Sequence, residues 1–351
     1  MRADLVLRVL RIPGKASWLL AVVLASVGAC QDATGPPFLE EVALVRLNGN
    51  PELDRTHRLL AIGLESRRVL AWSDRIMAMA GTAPAPDGGT VYVVGVGEAG
   101  WRESQIAALD TRTLTVRWRE LLADSGGYRR DRFDGIAVHA TSEVEVSPDG
   151  SRLFLASAEK DGFRGVAVLD SRTRDALGFV GSYLNGSMTL TVVPPGPYSR
   201  SGALAVSAGE SGGWPDITPI ITLVDPETLA VIDSVDLSAV LASEEDGVMN
   251  MQGTSDGTHL FIRSGAGELI KYSLVDQQVE TRVWPGANPC VRCMTLDPVG
   301  QRLYLADTWT QESPSSGLIY VYDFNLNELL PIDLSGVEIP QLDSSLTNPP
   351  A

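Results

Sequence analysis

The chain has 351 residues, with 44 acidic against 28 basic side chains and a formal net charge of −16. Nucleic acid is excluded as a natural partner, because affinity for it comes largely from basic groups contacting phosphates. Acidity of this degree favours solubility and cationic partners or metal ions, and it specifies no fold.

The first thirty residues, MRADLVLRVLRIPGKASWLLAVVLASVGAC, have the order of a secretory leader. Arg2, Arg8, Arg11 and Lys15 form a basic start, Ala16 to Val27 an apolar core, and Gly28 and Ala29 precede Cys30. That core falls short of the roughly 20 residues a membrane-spanning helix needs. Val-Gly-Ala-Cys resembles the lipobox of bacterial lipoproteins, which implies that Cys30 becomes the lipidated first residue of the mature chain. The expected organisation is a leader over 1–29, a lipidated cysteine and flexible tether over 30–39, a folded body over 40–343 and a disordered tail over 344–351. Removing the leader leaves 24 basic and 43 acidic residues, 24 − 43 = −19. Anchoring would then rest on lipid alone, at the periplasmic or outer face of a bacterial membrane.

Beyond the tether, a single phrase recurs. PDGGTVYVV begins at Pro86, SPDGSRLFLAS at Ser147, SDGTHLFIR at Ser255 and DPVGQRLYLAD at Asp297. Each is an Asp/Gly turn followed by a short run rich in β-branched or aromatic residues, and each is preceded by another strand-like run such as EVEVS or MTLTVV. A second hairpin follows each pair, as in AALDTRTLTVRW, VAVLDSRTRDALGFV and ITLVDPETLAVIDSV. The turn acids Glu65, Asp110, Asp170 and Asp225 stand 45, 60 and 55 residues apart, with later copies near Asp276 and Asp323. A four-stranded unit at this period predicts an all-β chain folded as a β-propeller, because sheets stacked around an axis bury both faces and need near-continuous apolar strands. The count is six blades, with seven as the alternative.

PDGSRLFLAS and DPVGQRLYLAD, each followed by a hydrophobic-Asp turn, resemble the YVTN-type β-propeller repeats of bacterial surface and periplasmic proteins, over most of residues 40 to 335. The resemblance implies fold rather than function, since such repeats are scaffolding. The chain departs from the family in lacking a literal YVTN tetrad and in carrying long loops.

The first unit is short of a strand. VALVRL (Val42–Leu47) and LLAIGLESRRVLAW supply three, and VEIPQL (Val337–Leu342) is the candidate for the missing innermost one, so that joined chain ends close the ring. Pro340 counts against a central strand but suits an irregular edge.

Loops joining the second and third strands of a blade share a face with those joining successive blades, and by analogy with known propellers that face holds ligands. Blade two carries GEAGW with Glu98 and Trp101, blade three AEKDGF with Glu159 and Phe163, and blade four GESGGW with Glu210 and Trp214. Each aromatic lies ten residues beyond the start of its β-run, and Trp309 in DTW repeats the theme in blade six. An aromatic beside an acid suits a sugar, a cationic group or a peptide. Equally, glycine serves the turn, the acid solvates it and the aromatic covers the seam between blades. Trp72, Trp118 and Trp284 end outer strands and read as packing residues. The inter-blade stretch Ala123–Gly135 brings Arg129, Arg130 and Arg132, and Glu244, Glu245 and Asp246 form a solvated acidic run without EF-hand spacing.

Cys290 and Cys293 in NPCVRCM are the thiols left after lipidation of Cys30, and in an oxidising compartment a local disulfide is the default. Met294 stands where covalent haem attachment would need histidine, and a redox dithiol would lack the helix N-terminus that lowers a thiol pKa. His57, His139 and His259 fall in no catalytic or metal-ligand spacing, and there is no HExxH, GxSxG or P-loop. Two classes follow. The preferred one is a monomeric, membrane-anchored, non-catalytic binding or assembly scaffold for a protein, peptide or glycan of the cell envelope, with no cofactor and no metal. The alternative is an envelope enzyme of lactonase-like or quinoprotein-dehydrogenase-like type.

Overall fold

A computed structural model describes residues 2–3, 8–10, 42–48, 57–74, 76–96, 104–124, 127–128, 136–138, 143–160, 163–182, 187–209, 219–241, 247–283, 289–297, 301–307, 318–334 and 337. Among the described residues there is no helix. Six antiparallel sheets make the blades of a β-propeller.

Blade four shows the unit at its most regular, with Ser187–Val193 innermost, then Ala203–Gly209, Ile220–Val224 and Val231–Asp236 outermost. Blade two runs Ala78–Pro84, Thr90–Val96, Ser104–Asp110 and Val116–Leu121 in the same order. Blade five runs Val248–Gly253, His259–Ser264, Leu269–Ser273 and Gln278–Val283. Blade six runs Pro289–Asp297, Arg302–Asp307, Leu318–Asp323 and Ile332–Asp333. First strands lie against one another around the axis from blade two to blade six, and blade six in turn meets Arg8–Leu10.

Alternation along a strand explains why the runs are apolar throughout. In Thr90–Val96, Val91 and Val93 pack toward blade one, whereas Tyr92 and Val94 pack toward blade three. Both faces of the pleat are therefore core, and a period-two polar pattern would strand polar groups in a seam. Outer strands lose one neighbour, and Val116–Leu121 is accordingly exposed or half-buried along its length.

The recurrent turns satisfy themselves. In blade three the Ser147 hydroxyl donates to Asp149 at 2.5 Å, and the Gly150 N–H donates to the Ser147 carbonyl at 2.8 Å. Gly150 sits at φ +75°, which glycine adopts without the Cβ penalty. Blade five repeats this with Thr254, Asp256 and Gly257, the last at φ +67°. The acid of the second hairpin works differently. Asp110 accepts from the N–H groups of Arg112 and Thr113, Asp170 from Arg172 and Thr173, and Asp225 from Glu227 and Thr228, all at 2.7–3.1 Å. Four residues past each acid the chain turns left-handed, at Leu114, Arg174 and Leu229. Thr111 and Ser171 then donate to the carbonyls of Gly88 and Gly150, at 2.5 and 2.7 Å, tying both turn types of a blade together.

The blade described as short of a strand is completed from the start of the chain. Arg8–Leu10 pairs with Leu44–Val42 and Arg2–Ala3 with Asn48–Leu47, on the edge of Val42–Asn48 opposite His57–Gly63. Of the other candidate, VEIPQL, Val337 packs on the cluster of Ala43, Leu60 and Ile62 with Tyr304, Ala306 and Ile319, and residues 338–342 lie outside the described residues. Two further expectations need correction. Ala158–Lys160 and Phe163 are strand rather than loop, because the ladder between the second and third strands runs on until Lys160 stands opposite Phe163. Trp72 ends its outer strand but is 47% exposed, a rim position rather than the buried packing the sequence suggests. Trp118 does pack, with its ring centroid 6.0 Å from that of Tyr92.

Candidate ligand-binding face

The two faces of the disc are built unlike each other. On one lie the turns closed by the hydrogen bonds above, in blades two to five. On the other lie the connections between second and third strands, and their lengths vary from blade to blade. Blade two passes from Val96 to Ser104, blade four from Gly209 to Ile220 and blade six from Asp307 to Leu318. Blade five makes the same connection within Ser264–Leu269, through Gly265 and Gly267.

Glu98, Trp101, Glu210, Trp214 and Trp309, and Cys30, lie outside the described residues, as do the acidic run and Arg129, Arg130 and Arg132. Glu159 and Phe163 belong to an extension of blade three beyond the disc, where Ala137–Val138 adds a strand and pairs Ala137 with Glu159. Cys290 and Cys293 fall in the innermost strand of blade six, inside a break of register. Pro289 pairs with Asp307 and Met294 with Leu305, so four residues on one strand stand against Ala306 on the other. These surplus residues interrupt the ladder at the start of the strand, the end nearest the variable face.

The seam between blades five and six holds groups that the sequence reading passed over. Toward the turn side, His259 Nε2 lies 3.0 Å and Lys271 Nζ 2.9 Å from the two oxygens of Glu280. The Lys271 ammonium also sits 4.2 Å from the Phe324 ring centroid, and Phe324 meets His259 and Phe261 edge-on. Hydrogen bonds from Lys271 and then His259 hold the Glu280 carboxyl below its ordinary value. His259 is thus a paired strand residue, and its Nδ1 lies 2.6 Å from the Thr258 hydroxyl. On the opposite face of blade five, in register with Ile270 of the blade-four seam, Arg282 grips the buried Glu268 carboxylate through Nε and Nη2, the latter at 2.7 Å. Toward blade six, at the end of the seam nearest the variable face, stands Arg263, 2% exposed and opposite Leu269.

Arg263 stands out against the repeat once the register is known. Counted from the first residue of each second strand, its position is filled by Val94, Ala156, Ser207 and Ala306 in blades two, three, four and six. All four are small and buried. Among the described residues no group of three or more His, Cys, Asp or Glu side chains could hold a metal ion, and no helix is long and apolar enough to cross a membrane.

No protein-family model and no curated protein matches the chain. Solved structures do. The chain is similar to the β-propeller domain of Cps50 (Swd1) from Myceliophteria thermophila, at 11% identity over 83% of this chain and 82% of that one, with a TM-score of 0.51. It is also similar to hydrazine synthase of Kuenenia stuttgartiensis, at 11% identity over 83% of each chain, with a TM-score of 0.54. At such identities the likeness is one of fold.

Proposed function

We propose that the protein is a membrane-anchored, extracytoplasmic lipoprotein whose propeller serves as a non-catalytic binding or assembly scaffold for a protein, peptide or glycan of the cell envelope. The observation that carries this reading is the contrast between the faces. Turns on one face consume their own donors and acceptors, whereas connections on the other differ in length from blade to blade. A surface that varies on a constant frame is the usual site of recognition. The acid-Gly-aromatic sequences of blades two and four fall at connections of the variable face, that of blade three at the hairpin extended past it, and aromatic rings beside carboxylates suit sugars and peptides. The lipobox-like Val-Gly-Ala-Cys ending at Cys30, the polar tether after it and the YVTN-like repeats support the address.

Processing before Cys30 removes Arg2–Ala3 and Arg8–Leu10 and frees the inner edge of Val42–Asn48. Val337–Leu342 is then the segment to take that edge, reached from Asp333 by the same outer-to-inner step that joins Ser182 to Ser187 and Val283 to Pro289.

Two measurements test the reading. Radiolabelled palmitate is expected in the wild-type chain and absent from Cys30→Ala; label in both, or in neither, overturns the anchor. Affinity capture from detergent-solubilised envelope is expected to retain a partner with the wild type and lose it with a Trp101→Ala, Trp214→Ala double variant whose circular dichroism is unchanged. Identical capture by both removes the aromatic face from the proposal.

A further inference from the structure

Among the described residues Arg263 has no ion-pair or hydrogen-bond partner. Its Nε and Nη1 are sealed from solvent and make no hydrogen bond. The carboxylate nearest in sequence, Glu268, is occupied by Arg282. The charged or titratable group that acts on it is the Tyr322 phenol of blade six, itself buried and pushed up to about 12, first by burial. Burial pulls the guanidinium down to about 10, so it remains cationic at neutral pH. Buried arginines are ordinarily paired, because an unpaired ion in a low-dielectric seam costs several kcal/mol.

The surroundings are shaped for this one side chain. Four other blades place a small residue at its register position, as described above. Directly across the seam, level with Ala306, the inner strand of blade six breaks register between Pro289 and Met294. Blade five has a tight connection at that height, and Gly267 lies over the guanidinium at φ +96°, where a Cβ would stand 3.3 Å from Nη2. Lowered rim, interrupted ladder and glycine cover coincide at the variable face.

We propose that Arg263 is a carboxylate-binding residue: the carboxylate of an acidic ligand enters the seam between blades five and six from the variable face and takes hydrogen bonds from the guanidinium. A planar fork of donors matches a planar carboxylate, which makes arginine rather than lysine the suited residue. The proposal deepens the scaffold reading by giving its ligand an acidic group. It also explains why an overall acidic protein would keep a cation in its core, since the ligand supplies the missing counter-charge.

The test is thermal unfolding of the full chain in detergent with sodium acetate, against sodium chloride at equal ionic strength. Acetate is expected to raise Tm saturably in the wild type. Arg263→Met should lose the response, a fall in acetate affinity of about tenfold or more. Arg263→Lys should keep a weaker one. Inorganic phosphate should act less than acetate, and an equal response overturns the carboxylate assignment. No acetate response in the wild type, or the same response in Arg263→Met, overturns the site. Should Arg263→Met fail to fold, the arginine Nε–H signals of labelled wild type decide, with Arg263→Lys identifying the one that must move on acetate addition. Galacturonate and N-acetylglutamate α-amide then separate a glycan from a peptide source. Failure with acetate leaves the envelope-capture result standing, and failure of capture leaves the acetate result standing.

Discussion

The seam between blades two and three and the seam between blades five and six are the same object built twice. In the first, Tyr92, Val94, Ile106, Leu153, Leu155 and Ala167 make an unbroken apolar cluster. In the second, Phe261, Leu303 and Leu305 are joined by Arg263, and the rim toward the turns carries the Glu280–Lys271 pair. The register is shared, so the difference is not demanded by the fold. A repeat shows what a position needs for packing, and a charged residue at a position that four sister blades fill with small side chains is there for something else.

The sharpest break of the comparison comes from the apolar seam. Leu155→Ala removes a fully buried side chain from the blade-two cluster. It is expected to cost about 3 kcal/mol, read as a lower denaturant midpoint at unchanged slope. The charged seam should respond with the opposite sign. Without ligand, Arg263→Met replaces an unpaired buried ion by an apolar chain of similar length and is expected to stabilise by about 1–2 kcal/mol. A large loss instead would make Arg263 a packing residue like its sisters.

A third prediction concerns the turns shared by every seam. The Ser201 hydroxyl, at 2.7 Å, and then the backbone N–H of Thr228 hold Asp225 down to about 2 from an ordinary 3.8. A carboxyl depressed on folding stabilises the native state above its unfolded value and ceases to do so as pH falls through its folded one. The stability gap between wild type and Asp225→Asn should therefore be constant above pH about 5 and close between pH about 4 and 2. A gap independent of pH would exclude the carboxylate as its source. Smallest is Arg67→Gly, which relieves a left-handed backbone at φ 53°. Part of that gain is returned as greater freedom of the unfolded chain, so about 0.5 kcal/mol of stabilisation is expected in chemical denaturation.

Much of this architecture was readable because it is local. SPDGS contains the donors, acceptors and glycine that its turn consumes, and LDSRT the acid and the donors of its own, so the phrase and the geometry are one fact. The Asp-Gly step at Asp161 and Gly162 was readable too, as a hairpin signal, but the search for a repeated loop drew it into the wrong class. What was hidden depends on residues brought together from afar. Arg263 sits in SDGTHLFIRSGAGE, where an arginine after Ile262 reads as a solvated strand end. Only its register against Asn250 and Leu269, and a neighbouring blade, make it buried. Trp72 went the other way: it ends an outer strand with nearly half its surface in solvent, whereas Trp118 on the same kind of strand meets Tyr92. The strand from Arg8 to Leu10 was masked by its own composition, because a basic start followed by an apolar core reads first as an address. The aromatic candidates Trp101, Trp214 and Trp309 are carried by sequence alone.

The seam between blades six and one has a kinetic meaning. It packs Ala43, Leu60 and Ile62 against Tyr304, Ala306 and Ile319, segments near opposite ends of the chain. Every other blade meets the one just made, so a growing chain can stack them in turn with short loops to close. The last docking must gather the whole ring at once, at the greatest loop-closure entropy in the molecule. That step falls late on the folding path, after the other blades are stacked, and until it is made the inner faces of blades one and six remain open to water and to other chains.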